Sequence, residues 1–357
     1  MHDHPPSSLT TPPPTETNSS TITTTTNSFP TTNPDPNPTI PEWHPAGLLS
    51  GHPTRPYAII ILNQPINYHA LDAVIDHADL LVCADAGADR LFKYHQQQQN
   101  HPNHQQDHQQ HQQQQQQQHL SLRPETRDRV RLPDAIVGDL DSLSPQVEHH
   151  YRSQGVDVIK DPNQYSTDFT KCLKWIRQAV QQQQQQPRQQ PQPQPQSSTI
   201  MDVVVLGGLG GRVDQAFSEI HHLYLASNDP ELLVGRIYLL SEQSLSFVLA
   251  ESDSDTTGTS RSNLNIIHVP DSDFDSDSDS KPDSHNYYFE ENVGIIPVLG
   301  RCLITTTGLE WDVEDWPTEF GGQLSTSNHI RSNLIKIAFQ GPRPLFTMEL
   351  GKRFRHF

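Results

Sequence analysis

Met201-Asp-Val-Val-Val-Leu-Gly-Gly-Leu-Gly-Gly-Arg-Val-Asp-Gln215 reads as a strand, a glycine turn and the start of a helix. Residues 201–206 are a short β-branched run, the pattern of a strand covered on both faces. Past the turn, Val213, Phe217, Ile220 and Tyr224 fall at i, i+4, i+7 and i+11, one side of a helix. A doubly covered strand that feeds a helix is the building unit of a parallel α/β sheet.

The unit repeats upstream. Apolar runs at Tyr57–Leu62, Asp79–Ala84, Pro133–Val137 and Val156–Ile159 predict four more strands. Between the last two, Ser144-Pro145 offers an N-cap with proline at the first helical position, and Gly155 closes that helix. Phe169, Cys172, Leu173, Ile176 and Val180 then mark one face of another helix. Downstream, from about residue 244, helical periodicity gives way to short strand-like runs: Ser246–Leu249, Leu264–Val269, Gly294–Leu299, Cys302–Thr307, Asn333–Phe339 and Pro344–Leu350. The expected fold is α/β plus all-β: an N-terminal open parallel sheet with helices on both faces, then a C-terminal β-sandwich.

Composition sets the boundaries. Only 32% of the 357 residues are hydrophobic, and 30 Pro stand against 18 Gly. Low-complexity tracts account for the shortfall, since they bury too little apolar surface to offset ordering entropy. The expected organisation is a disordered Ser/Thr/Pro-rich tail over 1–54, then an α/β domain over 55–243. That domain carries a Gln/His-rich insertion at 96–119 and a Gln/Pro insertion at 181–196. A β-sandwich domain over 244–357 carries an acidic Ser/Asp insertion at 251–286. Loop growth adds little closure entropy, so such insertions leave a fold intact.

A formal net charge of −18 excludes a general nucleic-acid binder, which needs a basic stripe. Nine carboxylates against Arg261 and Lys281 between Glu251 and Asp283 place much of that charge in one solvated segment, so it says little about a substrate. No run approaches a membrane span, and residues 1–50 lack a signal-type apolar region. Cys83, Cys172 and Cys302 lack CxxC spacing and lie in apolar stretches, as expected of reduced thiols in a cytoplasmic protein.

Open α/β sheets bind ligands at the carboxyl ends of their strands. The third strand runs into Gly138-Asp139-Leu140-Asp141-Ser142, where two carboxylates two residues apart share a side if the chain stays extended. They then share a divalent cation, or else form a turn ahead of Ser144. Asp168 and Asp214 each open a helix, as macrodipole partners or as further ligands. Acidic positions at three successive strand ends are the set that holds Mg2+ against a polyphosphate. The turn Gly207–Arg212 offers backbone amides and Arg212 to phosphate oxygens, although no Lys-Ser/Thr follows it. Asp85, beside Gly87, is a ligand or a cap.

The order of motifs resembles the thiamine pyrophosphokinase family. The resemblance rests on Ala84-Asp-Ala-Gly-Ala-Asp-Arg-Leu91, Gly138-Asp-Leu-Asp-Ser142, Thr167-Asp-Phe-Thr-Lys-Cys-Leu173, Gly207-Gly-Leu-Gly-Gly-Arg-Val-Asp-Gln215, Thr305-Thr-Thr-Gly-Leu-Glu-Trp311 and Ser325-Thr-Ser-Asn328. It implies a homodimer in which ATP and thiamine meet near the subunit interface, with Mg2+ as cofactor and pyrophosphate transferred from ATP to thiamine. By resemblance, Asp139, Asp141 and Asp168 are acidic catalytic and metal positions, and Asp214 is the Asp of a Gly-Arg-x-Asp-Gln motif. Gln164 precedes the Thr167-Asp168 pair, Trp311 stacks on thiamine, and Ser327 and Asn328 lie near that pocket. With Asp85, Arg212 and Gln215 these complete the expected substrate-binding set. Ala86-Gly87 and Asp89 stand where the family often has Gly-Gly and Asn. The rivals are another Mg2+-dependent nucleotide transferase or hydrolase, and a Gln-rich interaction protein with a vestigial domain.

Overall fold

The computed structural model describes residues 40–100, 130–185, 200–229, 232, 235–251, 263–270 and 287–355. Most of the four low-complexity segments, including the tail up to residue 39, lies outside the described residues. The chain is folded before residue 54, however. Strand β1 (Glu42–Trp43) and helix α1 (Pro45–Leu49) bury Trp43, Leu48 and Leu49. The Trp43 indole stacks on Phe247 at 4.3 Å between ring centroids and donates to Asn265 Oδ1 at 2.9 Å. Tail composition averaged over 1–54 hides these few apolar residues, and they correct its expected end.

Six strands run parallel: β2 (Tyr57–Ile61), β3 (Leu80–Ala84), β4 (Ala135–Gly138), β5 (Asp157–Lys160), β6 (Asp202–Leu206) and β7 (Ile237–Leu240). Their order is β7-β6-β2-β3-β4-β5. The first five of these strands coincide with the apolar runs read from sequence; β7 was not anticipated. Side chains alternate between two cores, as the pleat requires. Ile59 and Ile61 pack with helices α2 (Tyr68–Val74), α3 (Gly87–Asn100) and α4 (Pro145–Ser153). Ala58 and Ile60 pack on the opposite face with α5 (Asp168–Gln185) and α6 (Val213–Asn228).

The face expected for α5 is buried through Phe169, Cys172, Leu173 and Ile176. The face expected for α6 is displaced: Val213 and Phe217 are 71% and 57% exposed, while Glu219, His222, Leu223, Tyr224 and Ala226 are buried. The helix follows directly on the glycine turn at the carboxyl end of β6, so its first turn stands at the sheet edge. Its core contact begins only further along.

Past β7 the same sheet continues antiparallel through β8 (Ser244–Val248), β15 (Leu345–Leu350), β10 (Phe289–Ile296) and β13 (Ser325–His329), reaching ten strands. A second sheet has the order β1-β9-β14-β11-β12, with β9 (Asn263–His268), β11 (Cys302–Thr307), β12 (Trp316–Thr318) and β14 (Leu334–Gln340). Ile267, Ile304, Ile335 and Phe339 from this sheet share one core with Phe247, Phe346 and Met348. The β-rich half is thus a sandwich, one leaf of which is the antiparallel wing of the ten-stranded sheet. Strand β9 falls inside the span 251–286 and is integral to that sandwich. All three cysteines are buried and unpaired.

Candidate active site

Three carboxylates meet at the carboxyl edge of the parallel sheet. Asp85 follows β3, Asp139 follows β4 and Asp168 opens α5, and oxygens from all three lie within 4.8 Å of one another. Gly138 permits the approach: a Cβ there would lie 2.8 Å from Asp85 Cβ and 3.3 Å from Asp168 Oδ1. Asp85 holds φ at 45°, a conformation that a non-glycine residue adopts at the expense of strain. Two loops are tied together around it, since Asp85 Oδ2 accepts from the Ser142 N–H and Asp89 Oδ2 from the Ser144 N–H.

Asp141 stays outside the cluster. Sharing a side with Asp139 requires an extended chain, but Leu140 has φ 62° and breaks the alternation. The Asp141 N–H instead donates to Asp139 Oδ1 at 3.3 Å, while its carboxylate accepts from the Ser142 hydroxyl at 2.9 Å in an exposed position. Gln164 reaches Asp139 Oδ2 at 3.4 Å. Lys171, one helical turn after Asp168, places Nζ 2.9 Å from Asp168 Oδ1 with its own side chain buried.

Burial pushes the Asp85 carboxyl up to about 6, opposed by the Ser142 N–H and reinforced by Asp168, Asp139 and Asp141. For Asp139, slight desolvation is outweighed by the hydrogen bond from Asp141, by Lys171 and by Gln164, so its carboxyl sits below the usual range. Lys171 is held above its ordinary value: burial works against the charge, but the Asp168 hydrogen bond and charge prevail.

These groups line a cleft of about 330 Å3, whose opposite wall is Gln215, Ser218 and Glu219 of α6. Four buried side-chain polar atoms lack a hydrogen-bond partner among the described residues. Three of them, Asp85 Oδ1, Ser166 Oγ and Glu219 Oε2, belong to residues that line this cleft. Unsatisfied buried polar atoms are scarce in folded proteins, so their concentration here marks a place built for a ligand. The two walls are joined by Thr167 and His222. The Ser218 carbonyl, 2.6 Å from His222 Nδ1, can only accept, so the Thr167 hydroxyl donates to Nε2 at 2.7 Å. Thr167 Oγ1 in turn accepts from the Thr170 N–H.

The glycine turn packs tightly behind the cleft: Gly207 has φ 70°, and a Cβ there would lie 2.5 Å from the Leu62 carbonyl. Arg212 and Asp214 form an exposed two-bond ion pair at 3.1 and 2.5 Å, and neither lines the cleft. Trp311 is 54% exposed, so it is not a core aromatic, and it also lies outside the cleft. Asn328 fixes its backbone, with Oδ1 accepting from the Trp311 N–H at 3.1 Å and Nδ2 donating to the Trp311 carbonyl at 2.9 Å. Ser327 turns the strand there with φ 54°.

The sequence profile of the thiamin pyrophosphokinase catalytic domain matches residues 71–234, and that of the thiamin pyrophosphokinase vitamin B1 binding domain matches residues 279–343. The chain belongs to the thiamine pyrophosphokinase family. The cleft lies almost wholly in the first matched region, and Trp311 and Asn328 lie in the second. Thiamine pyrophosphokinase 2 of Oryza sativa subsp. japonica is 28% identical over 292 residues, covering 80% of this chain and 83% of the relative. Thiamine pyrophosphokinase of Saccharomyces cerevisiae is 28% identical over 299 residues, covering 76% and 78%. The crystal structure of the yeast enzyme shares the fold at TM-score 0.61 and 24% identity, covering 88% of this chain and 92% of the other. Candida albicans thiamin pyrophosphokinase gives 0.61 and 22%, covering 88% and 95%.

Within this family member, sequence reasoning overlooked Ser166, Lys171 and Glu219. Lys171 is detectable as a cation three residues beyond Asp168 on a helix. Glu219 is detectable only once the true buried face of α6 is known. The Ala86-Gly87 departure keeps the glycine that matters, because a Cβ at Gly87 would lie 2.0 Å from the Ile61 carbonyl.

Proposed function

We infer that this chain transfers the pyrophosphoryl group of ATP to the hydroxyl of thiamine, giving thiamine diphosphate and AMP. The observation that carries this reading is the carboxylate cleft with its three unsatisfied polar atoms, lying largely in the region matched as the catalytic domain of that family.

The donor set fits a hard divalent cation. Three carboxylates converge, and the buried Asp85 Oδ1 has no partner among the described residues. Asp85, Asp139 and Asp168 would hold Mg2+, which when bound would supply neutralising charge to polyphosphate oxygens. The chain's own residues do the positioning on which phosphoryl-group chemistry chiefly depends. Lys171 fixes the Asp168 carboxylate, Gln164 steadies Asp139, and Thr167 and His222 hold α5 and α6 apart at the width of the cleft. Neither the glycine turn nor Arg212 lines the cleft, so Arg212 would reach a phosphate only by leaving its exposed, solvent-screened pair with Asp214.

A homodimer belongs to this proposal. Trp311 is exposed yet outside its own chain's cleft, and Phe217, beside the cleft on α6, is exposed as well. Trp311 of one copy would then stack on thiamine held at the other copy's cleft, with Ser327 and Asn328 shaping its loop. Among the described residues no helix is long and apolar enough to cross a membrane. A cytoplasmic setting suits three buried unpaired cysteines.

The test is AMP release from ATP by the full chain with Mg2+, with and without thiamine. Thiamine-dependent AMP supports the reading. Phosphate release independent of thiamine favours a nucleotide hydrolase, and no turnover favours an interaction protein.

A further inference from the structure

Glu219 takes no part in the transfer as described above, yet it is the most anomalous side chain of the cleft. It sits on the second turn of α6 and is 9% exposed, and its Oε2 has no partner among the described residues. Gln215, Ser218 and Glu219 share one side of the helix, and all three line the cleft. Gly208 makes room for the side chain: a Cβ there would lie 3.3 Å from Glu219 Cγ and 3.2 Å from Leu62 Cδ1. A carboxyl and an apolar side chain therefore flank the same glycine at the cleft wall, a setting for the edge of a flat, partly apolar ring. Glu219 is not among the converging carboxylates, so a shared cation does not account for it.

A buried acid with no cation beside it is stabilised when protonated, and burial pushes this carboxyl up to about 7. A protonated carboxyl presents an O–H donor next to a carbonyl acceptor. Its complement is a ring nitrogen next to an exocyclic amine, joined by two parallel hydrogen bonds. Adenine carries that edge, and so does the aminopyrimidine ring of thiamine.

We propose that Glu219 is a recognition group for the amidine edge of a substrate heterocycle, pairing with a ring nitrogen and its neighbouring exocyclic amine. This rests on the function inferred above and adds the group by which the site tells an amino-substituted ring from its unsubstituted counterpart. A site that hydrogen-bonds a polar substituent rejects analogues lacking it, because its own buried groups are left unpaired.

The experiment measures kcat/KM with two substrate pairs. ATP is compared with purine riboside triphosphate and thiamine with its 4-deamino analogue, each of which lacks the exocyclic amine. E219L removes both hydrogen-bonding atoms, and E219Q keeps one donor and one acceptor, so Gln is the rescue variant. In one pair E219L should lose at least about tenfold with the amino substrate and little with its analogue, and E219Q should recover most of that loss. Loss confined to ATP assigns the adenine edge; loss confined to thiamine assigns the pyrimidine edge. Equal loss on both members of each pair, no loss on any, or E219Q as poor as E219L overturns the proposal. Thermal melts of both variants separate misfolding from lost recognition. If the wild type shows no thiamine-dependent turnover, the activity inference fails. The same comparison is then made by calorimetry with ATP and purine riboside triphosphate, and with thiamine and its 4-deamino analogue; equal binding within both pairs overturns the Glu219 assignment.

Discussion

Lys171 Nζ lies 2.9 Å from Asp168 Oδ1, and the lysine side chain is only 2% exposed. A buried cation is thereby fixed against one of three converging carboxylates. Removing one partner of a buried pair leaves the other uncompensated, typically at about 3–5 kcal/mol; Asp168 is partly open to water, which places this pair at the lower end. Lys171→Met should therefore lower the melting temperature by several degrees and cut AMP release at least about tenfold. Thermal unfolding with a steady-state assay checks both; wild-type behaviour in both would remove Lys171 from the site.

Asp139 and Asp141, which look equivalent in sequence, should behave differently. Asp139→Asn removes a charge from the cluster and should reduce turnover by about a hundredfold or more. Asp141→Asn leaves the backbone N–H that holds Asp139 and should cost less than about tenfold. Rates across a Mg2+ titration, with circular dichroism to confirm the fold, decide this. Equal losses would place Asp141 with the metal ligands.

Glu219 also sets a pH dependence of stability. Its carboxyl is raised from 4.5 to about 7 by burial, so the folded chain holds this proton more tightly than the unfolded chain. The stability it contributes is full below pH 4.5 and is lost as pH rises through about 7. Glu219→Gln, which carries no charge, should gain on the wild type by at most about 3 kcal/mol between pH 5 and pH 8. Urea unfolding at both values measures the difference; an offset independent of pH would contradict it.

Trp311→Ala should leave the fold intact, since the side chain is more exposed than buried. It should weaken thiamine binding about thirtyfold and ATP binding little, the loss expected for a stacking partner of a cationic ring, on the order of 2 kcal/mol. Calorimetry with thiamine and with a non-hydrolysable ATP analogue tests this. Equal weakening of both ligands would point to general destabilisation.

The parallel strands were legible because burial on both faces writes itself as continuous β-branched runs, and Tyr57–Ile61 and Asp202–Leu206 lie where those runs do. Three features were not legible, each for a local reason. Trp43 is embedded in tail-like composition, so its partners Phe247 and Asn265, far away in sequence, are invisible to a window. The left-handed Leu140 breaks the extended alternation between Asp139 and Asp141, and Asp85 takes the third place in the cluster. The glycine turn ahead of α6 displaces the helix face, exposing Val213 and Phe217 and burying Glu219 and His222. Backbone turns at the sheet edge therefore decided the site, and residue-type periodicity does not encode them.

The most direct measurement follows ATP labelled at the β-phosphorus through the reaction with thiamine. Transfer of the whole pyrophosphoryl group predicts that the label appears in thiamine diphosphate, with one AMP formed per product. Label retained in ADP alongside thiamine monophosphate, or released without regard to thiamine, would contradict the assignment.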